Sequence, residues 1–219
     1  MQGESIPLQQ AIDEIFEGKA FERPLFYKYP GGLRFELSEG GTAIEQFLTA
    51  MKKSRAICED IFDTEGALVA CLRVPSRPHP FAHRSVLAQL KGAGIRIPAA
   101  RAIWCEPIAG PDWSFDEGER GWWINVAFRA PQALLPSFLW CAMAADLGSI
   151  RPRPFCSTYL FHLERRVMVW PYDDRGMDVV GPNREFLAQL YRTHHHHLLD
   201  HDRASMEETF GPPPQLGNP

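Results

Sequence analysis

Three stretches of the chain bring together side chains that could do chemistry. The first is Tyr172-Asp173-Asp174-Arg175-Gly176, two adjacent carboxylates followed by a guanidinium and a glycine. Such a carboxylate pair could hold a metal or move a proton, with Arg175 holding an anion. The same residues also make a turn, in which an Asp accepts backbone N–H bonds, Gly176 takes a positive φ and Arg175 pairs with an acid such as Glu36. Two carboxylates and an arginine with no third acid or histidine beside them make a poor metal site, and the turn is the favoured reading.

The second stretch is His194-His195-His196-His197, followed by Asp200, His201, Asp202 and Arg203. On one continuous helix His194, His197 and His201 would share a face and could hold a transition metal through imidazole nitrogens. Four successive histidines, however, sweep around the whole helix, and no Cys or Glu completes a zinc pattern, so no metal site is assigned.

The third is the loop 110–120, where Asp112, Asp116, Glu117 and Glu119 are interleaved with Trp113 and Phe115. Aromatic rings supply contact area and carboxylates steer association with a basic partner. The loop is therefore the candidate partner-binding surface. Its alternative is an ordinary hairpin loop with both rings folded back on the core.

Other catalytic patterns find no foothold. The chain has no Gly-x-Ser-x-Gly elbow, and Gly31-Gly32 and Gly92-Ala93-Gly94 lack the context of a phosphate cradle. Cys58, Cys71, Cys105, Cys141 and Cys156 are scattered, mostly in apolar runs, as buried reduced thiols are, and no pair is spaced as a metal clip. Cys156 with His162 is one pairing that tertiary structure could still assemble into a thiol–imidazole couple. No catalytic residue and no cofactor is assigned.

Composition narrows the partners. The 219 residues are 45% hydrophobic, enough to bury one full core, and 27 acids against 23 bases leave a net charge of -4. No Lys/Arg block offers a nucleic-acid footprint. The apolar stretch from Ala133 to Ala145 is too short to span a bilayer, and the first residues lack the pattern of a signal peptide, so a cytoplasmic location is expected.

The elements that must position these residues can be read from periodicity. Helices are expected over Ser5–Gly18, over Thr42–Phe62 with a Thr42/Glu45 capping box, and over Ser85–Lys91. A buried helix is expected from Pro131 to Gly148, and a last one from Asn183 toward Leu198 and Leu199. Leu33–Leu37 alternates as a half-buried strand, with Arg34 and Glu36 on one face, and Ala67–Val74 reads as a central strand ended by Pro75. Ala102–Ile108 and Trp122–Phe128 suggest a hairpin, while Thr158–Leu163, Val167–Tyr172 and Met177–Val180 form a meander. The expected fold is α+β: a mixed, mainly antiparallel sheet with helices packed on it and a C-terminal β-meander followed by a helix. One domain spans 1–210, and the proline-rich tail 211–219 is expected to be disordered.

Leu25-Phe26-Tyr27, Gly32-Leu33-Arg34-Phe35-Glu36-Leu37, the run from Tyr172 to Val180 and Leu198-Leu199-Asp200-His201-Asp202-Arg203 together resemble the bacterial family called domain of unknown function 3885. The family motif residues carried by this chain are Arg34, Glu36, Tyr172, Asp173, Asp174, Arg175, Gly176, Asp200, Asp202 and Arg203. The chain departs from the family pattern at the four histidines, where other members carry a Tyr-Asn-Asp-Trp-like stretch. What the resemblance implies is context: Rhs and type VI secretion gene neighbourhoods, where small soluble acidic proteins act as antitoxins. The expected function is thus an immunity protein that neutralises a cognate toxin or effector protein. The alternatives are a hydrolase-like enzyme using Asp173, Asp174 and Arg175, and a structural secretion-system adaptor.

Overall fold

A computed structural model describes residues 7–76, 82–108 and 121–211. The chain runs α1 (Leu8–Phe16), α2 (Leu25–Lys28), β1 (Leu33–Glu36), α3 (Ala43–Ile61), β2 (Leu68–Ser76), α4 (Ala82–Gly92), β3 (Ala102–Pro107), β4 (Trp122–Arg129), α5 (Leu135–Met143), β5 (Ser157–His162), β6 (Val167–Pro171), β7 (Gly176–Val180), α6 (Arg184–His194) and α7 (Arg203–Phe210). The strands form one seven-stranded sheet in the order β1-β7-β6-β5-β2-β4-β3. Every pairing among the described residues is antiparallel, so the α+β expectation holds with a purely antiparallel sheet.

Side chains alternate across a pleated strand, and here both faces are covered. Ala70, Leu72 and Val74 of β2 join Val167, Val169, Met177 and Val179 in the larger core, which α3, α5 and α6 close. Val69 and Cys71 point the other way, to a smaller core with Phe161, Met168 and Val180 under Ile12 and Phe16 of α1. Burial on both faces explains why β2 reads as an unbroken apolar run. Full burial of a side chain such as Phe16 contributes about 2–3 kcal/mol, which holds the short helix α1 on the sheet.

Local chemistry sets several boundaries. Thr42 Oγ1 accepts from the Glu45 N–H while the Glu45 carboxylate accepts from Thr42 N, the capping box that starts α3. Asn183 Oδ1 accepts from the Phe186 N–H and starts α6. The chain enters the meander as read, with β5, β6 and β7 following one another through tight connections.

Three expectations are corrected. Pro75 does not end β2, which continues to Ser76. Its last partner on β5 is Arg73↔Ser157, so at Pro75 the strand is bordered by β4 alone and tolerates the missing N–H. The helix expected over 131–148 is a 3-10 turn (Gln132–Leu134) followed by α5. Pro136 fits only the first turn of an α-helix, and after Met143 the chain leaves the helix through turns such as Leu147 N–H to Ala144 O.

The last helix, third, does not reach Leu198. It stops at His194, and the chain turns back to the outer edge of the sheet, where Leu198 bridges Phe35 and the Leu199 N–H bonds Arg34 O at 2.9 Å. This return covers the open edge of β1, which would otherwise present unpaired backbone groups. Gly211, taken in sequence as the start of the tail, is held against the fold by the Tyr191 hydroxyl, which donates to its carbonyl. The rest of the tail, 212–219, lies outside the described residues.

Candidate functional site

The family motif residues gather at the β1–β7 edge and act mostly on one another. Arg34 and Asp178 are register partners across this pair. The guanidinium donates to both Asp178 oxygens, at 2.7 and 3.0 Å, and through its remaining nitrogen to Asp202 at 3.2 Å. The Phe26 N–H and the Tyr27 hydroxyl add bonds to Asp178 and Asp202. Phe26 and Tyr27 also offer their rings to the Arg34 cation at 4.9 and 5.0 Å. Burial opposes the charge on Arg34, but the bonds to Asp178 outweigh it and hold the guanidinium pKa above its ordinary value. Asp178 is fully buried, which pushes its carboxyl up against the pull of Arg34 and the Phe26 N–H. Sequence reasoning missed Asp178 as a key residue, although a single carboxylate inside Met177-Asp178-Val179-Val180 was a visible signal.

The Tyr172–Gly176 segment is the turn between β6 and β7, as favoured. The Asp173 carboxylate accepts from the Arg175 N–H at 2.8 Å and from its guanidinium Nε at 2.9 Å. Arg175 also reaches Asp146 at 3.3 Å, so its acids are Asp173 and Asp146 and not Glu36. Ser38 Oγ donates to the Asp174 carbonyl, and burial pushes the Asp174 carboxyl above its ordinary pKa. Gly176 does not have a positive φ; it is required because the Tyr172 ring lies across it, with the hydroxyl where a Cβ would stand. Glu36 is half-buried, its pKa raised by burial, and Lys53 donates to its backbone oxygen. Arg203 holds Asp200 at 2.8 Å and the carbonyls of His195 and Leu198, which fixes the turn after α6.

The histidines do not share a helical face, because α6 ends at the first of them. His194 bonds Asp60 through Nε2 at 2.8 Å, His195–His197 form a 3-10 turn, and His201 sits in a second one. Among the described residues no three His, Cys, Asp or Glu side chains gather as metal ligands. Cys156 and His162 flank opposite ends of β5, about 20 Å apart along an extended strand, so they form no couple. Burial pushes the Cys156 thiol up to about 12. The candidate partner-binding residues Asp112, Trp113, Phe115, Asp116, Glu117 and Glu119 lie outside the described residues.

Two surface features escaped sequence reasoning. At the far edge of the sheet β3 pairs, among the described residues, with β4 alone, and on one face Ile103, Cys105, Pro107 and Trp122 are exposed beside half-buried Ile124 and Val126. Ile103 is 55% and Trp122 46% exposed. The second feature is a cavity of about 690 Å³ at the end of the sheet, where β5 begins and β6 ends. Trp123, Phe155 and Tyr172 are among its walls, and Arg23, Arg34 and Arg153 line it. Two of the four Arg-Pro dipeptides in the sequence, Arg23-Pro24 and Arg153-Pro154, line it.

Fold and site together define an α+β protein whose motif residues staple the two ends of the chain into one sheet. The model of the family described as Domain of unknown function (DUF3885) matches residues 8–202, and the chain belongs to that family. No curated protein and no solved structure matches. No helix among the described residues is long and apolar enough to cross a membrane.

Proposed function

We propose that the protein acts as a protein-binding factor, an immunity protein that occludes a cognate type VI or Rhs effector. The observation that carries this reading is the apolar strip on β3 and β4, where Ile103 of β3 and Trp122 of β4 face solvent and where, among the described residues, β3 pairs with β4 alone. A free edge offers backbone donors and acceptors to a partner strand, and exposed aromatic and branched side chains supply the anchoring area. The loop 109–120 joins these two strands and carries Asp112, Asp116, Glu117 and Glu119, a charge set that favours a basic partner. The ion pairs of the motif residues support the same reading, since Arg34, Asp173, Arg175 and Arg203 are each engaged within the fold.

The test is protection. Cells expressing the effector encoded beside this gene survive when the parent protein is co-expressed, and the two proteins co-purify. Ile103→Glu with Trp122→Ala abolishes both, while circular dichroism shows the variant folded. Failure of the parent to bind the effector or to protect refutes the proposal.

A further inference from the structure

The cavity at the sheet end has a chemistry that the motif residues do not use. Arg34, on one wall, is neutralised by Asp178 and Asp202. Arg23 and Arg153 are different. Arg23 donates to the hydroxyls of Ser157 and Tyr159, and Arg153 donates to the Ala145 carbonyl at 3.1 Å. All of these acceptors are neutral, and neither arginine pairs with a carboxylate among the described residues. Asp146, the acid on the rim, is engaged by Arg175. A guanidinium has five N–H donors, so Arg153 keeps several beyond the one it uses here. Arg23 is held in place by Trp170, with its guanidinium carbon 4.5 Å from the ring centroid.

Apart from Ser157 and Thr158, the rest of the lining is apolar or aromatic. Pro24, Pro75, Pro154 and Pro171 with Trp123 and Tyr172 form rigid walls, and Phe155, 62% exposed, stands at the mouth. On the floor Thr158 is 1% exposed, beside the Cys156 thiol. A cavity of this size, mostly apolar with a few placed polar groups, is the form that small-molecule sites take.

We propose that this cavity binds a small organic anion, a carboxylate or phosphate monoester carried on an apolar body. Arg23 and Arg153 receive the anionic group, and the proline and aromatic walls receive the body. The inference is independent of the effector-binding strip, which lies on β3 and the outer face of β4.

Isothermal titration of the full chain with 3-phenylpropionate, phenyl phosphate, neutral 3-phenylpropionamide and inorganic phosphate tests it. The carboxylate or the phosphate ester binds, and whichever binds more tightly identifies the head group. Arg23→Gln and Arg153→Gln each weaken that binding by about tenfold or more, while Arg55→Gln on α3 leaves it unchanged. Melting curves on each variant separate lost binding from lost folding, and a variant that does not fold is replaced by the Met substitution at the same position, which also removes the charge. The proposal is overturned if neither organic anion binds, if the amide binds as well as the acids, or if both folded Gln variants bind as the parent does. Binding of inorganic phosphate as tight as that of phenyl phosphate overturns it too, since the walls would then contribute nothing.

Discussion

Arg34 lies directly across from Asp178 in the β1–β7 register and meets both oxygens of its carboxylate, 2.7 and 3.0 Å away. The pair ties a strand near the start of the chain to the last strand of the meander. Taking two charges out of water is costly, so the pair is a device for register more than a source of net stability. Removing one partner is another matter. Asp178→Ala leaves a guanidinium that is only 12% exposed with Asp202 as its one remaining acid, and costs roughly 3–5 kcal/mol. Urea denaturation measures the loss. The double change Arg34→Met with Asp178→Leu costs clearly less; an equal or larger cost would show that the ions stabilise the fold in their own right.

The strands that make this contact were legible, because Leu33-Arg34-Phe35-Glu36-Leu37 alternates and the C-terminal meander is punctuated by turn residues, but their pairing and the Arg34–Asp178 register were not. Thr42 and Glu45 were legible for the same reason, a local bond between residues three apart. What was not legible is whatever depends on residues distant in the chain. Where α6 stops, His194 bonds Asp60 and the chain turns back to cover the edge of β1, and neither Asp60 nor β1 lies near the histidines in sequence. The cavity is lined by separate segments from Arg23 to Tyr172, and no window of the sequence contains it.

Gly176 is required by contact and not by backbone conformation. A Cβ there would fall on the Tyr172 ring and hydroxyl. Gly176→Ala forces the ring out of place and costs about 1–3 kcal/mol, as overpacking does. Adding Tyr172→Leu to the alanine variant restores part of the lost stability in thermal melts. If the double variant is no better than the single, the turn itself and not the ring demands glycine.

The thiols differ sharply in access. Cys105 is exposed on β3, whereas Cys58 and Cys71 are buried and have their pKa values raised by burial. Cys141 and Cys156 are pushed up to about 12 by the same cause. The thiolate is the reactive form, so an aromatic disulfide reagent at neutral pH labels Cys105 fast and the other four slowly. Cys105→Ser removes the fast phase. Loss of effector binding on labelling Cys105, a residue within the exposed strip, would place that strip at the interface.

His197 gives stability a slope with pH. Its ring is half-buried beside His196, at 3.9 Å between centroids, and stacks on His194. Burial first, then His196, Lys53 and His194, lower its pKa from 6.5 to about 4. In the unfolded chain the imidazole takes up a proton as pH falls through about 6.5, while the folded protein refuses it until about pH 4. The unfolded state therefore binds more protons across this window, and the contribution of His197 to stability falls from pH 6.5 down to about 4 and changes no further below. His162 and His196 have lowered pKa values as well and act in the same sense. The ring is partly solvated, which makes the slope shallow. His197→Gln reduces the difference between urea midpoints at about pH 5 and about pH 7.5 without abolishing it. Equal differences in parent and variant would mean that His197 titrates in the folded protein as it does in the unfolded chain.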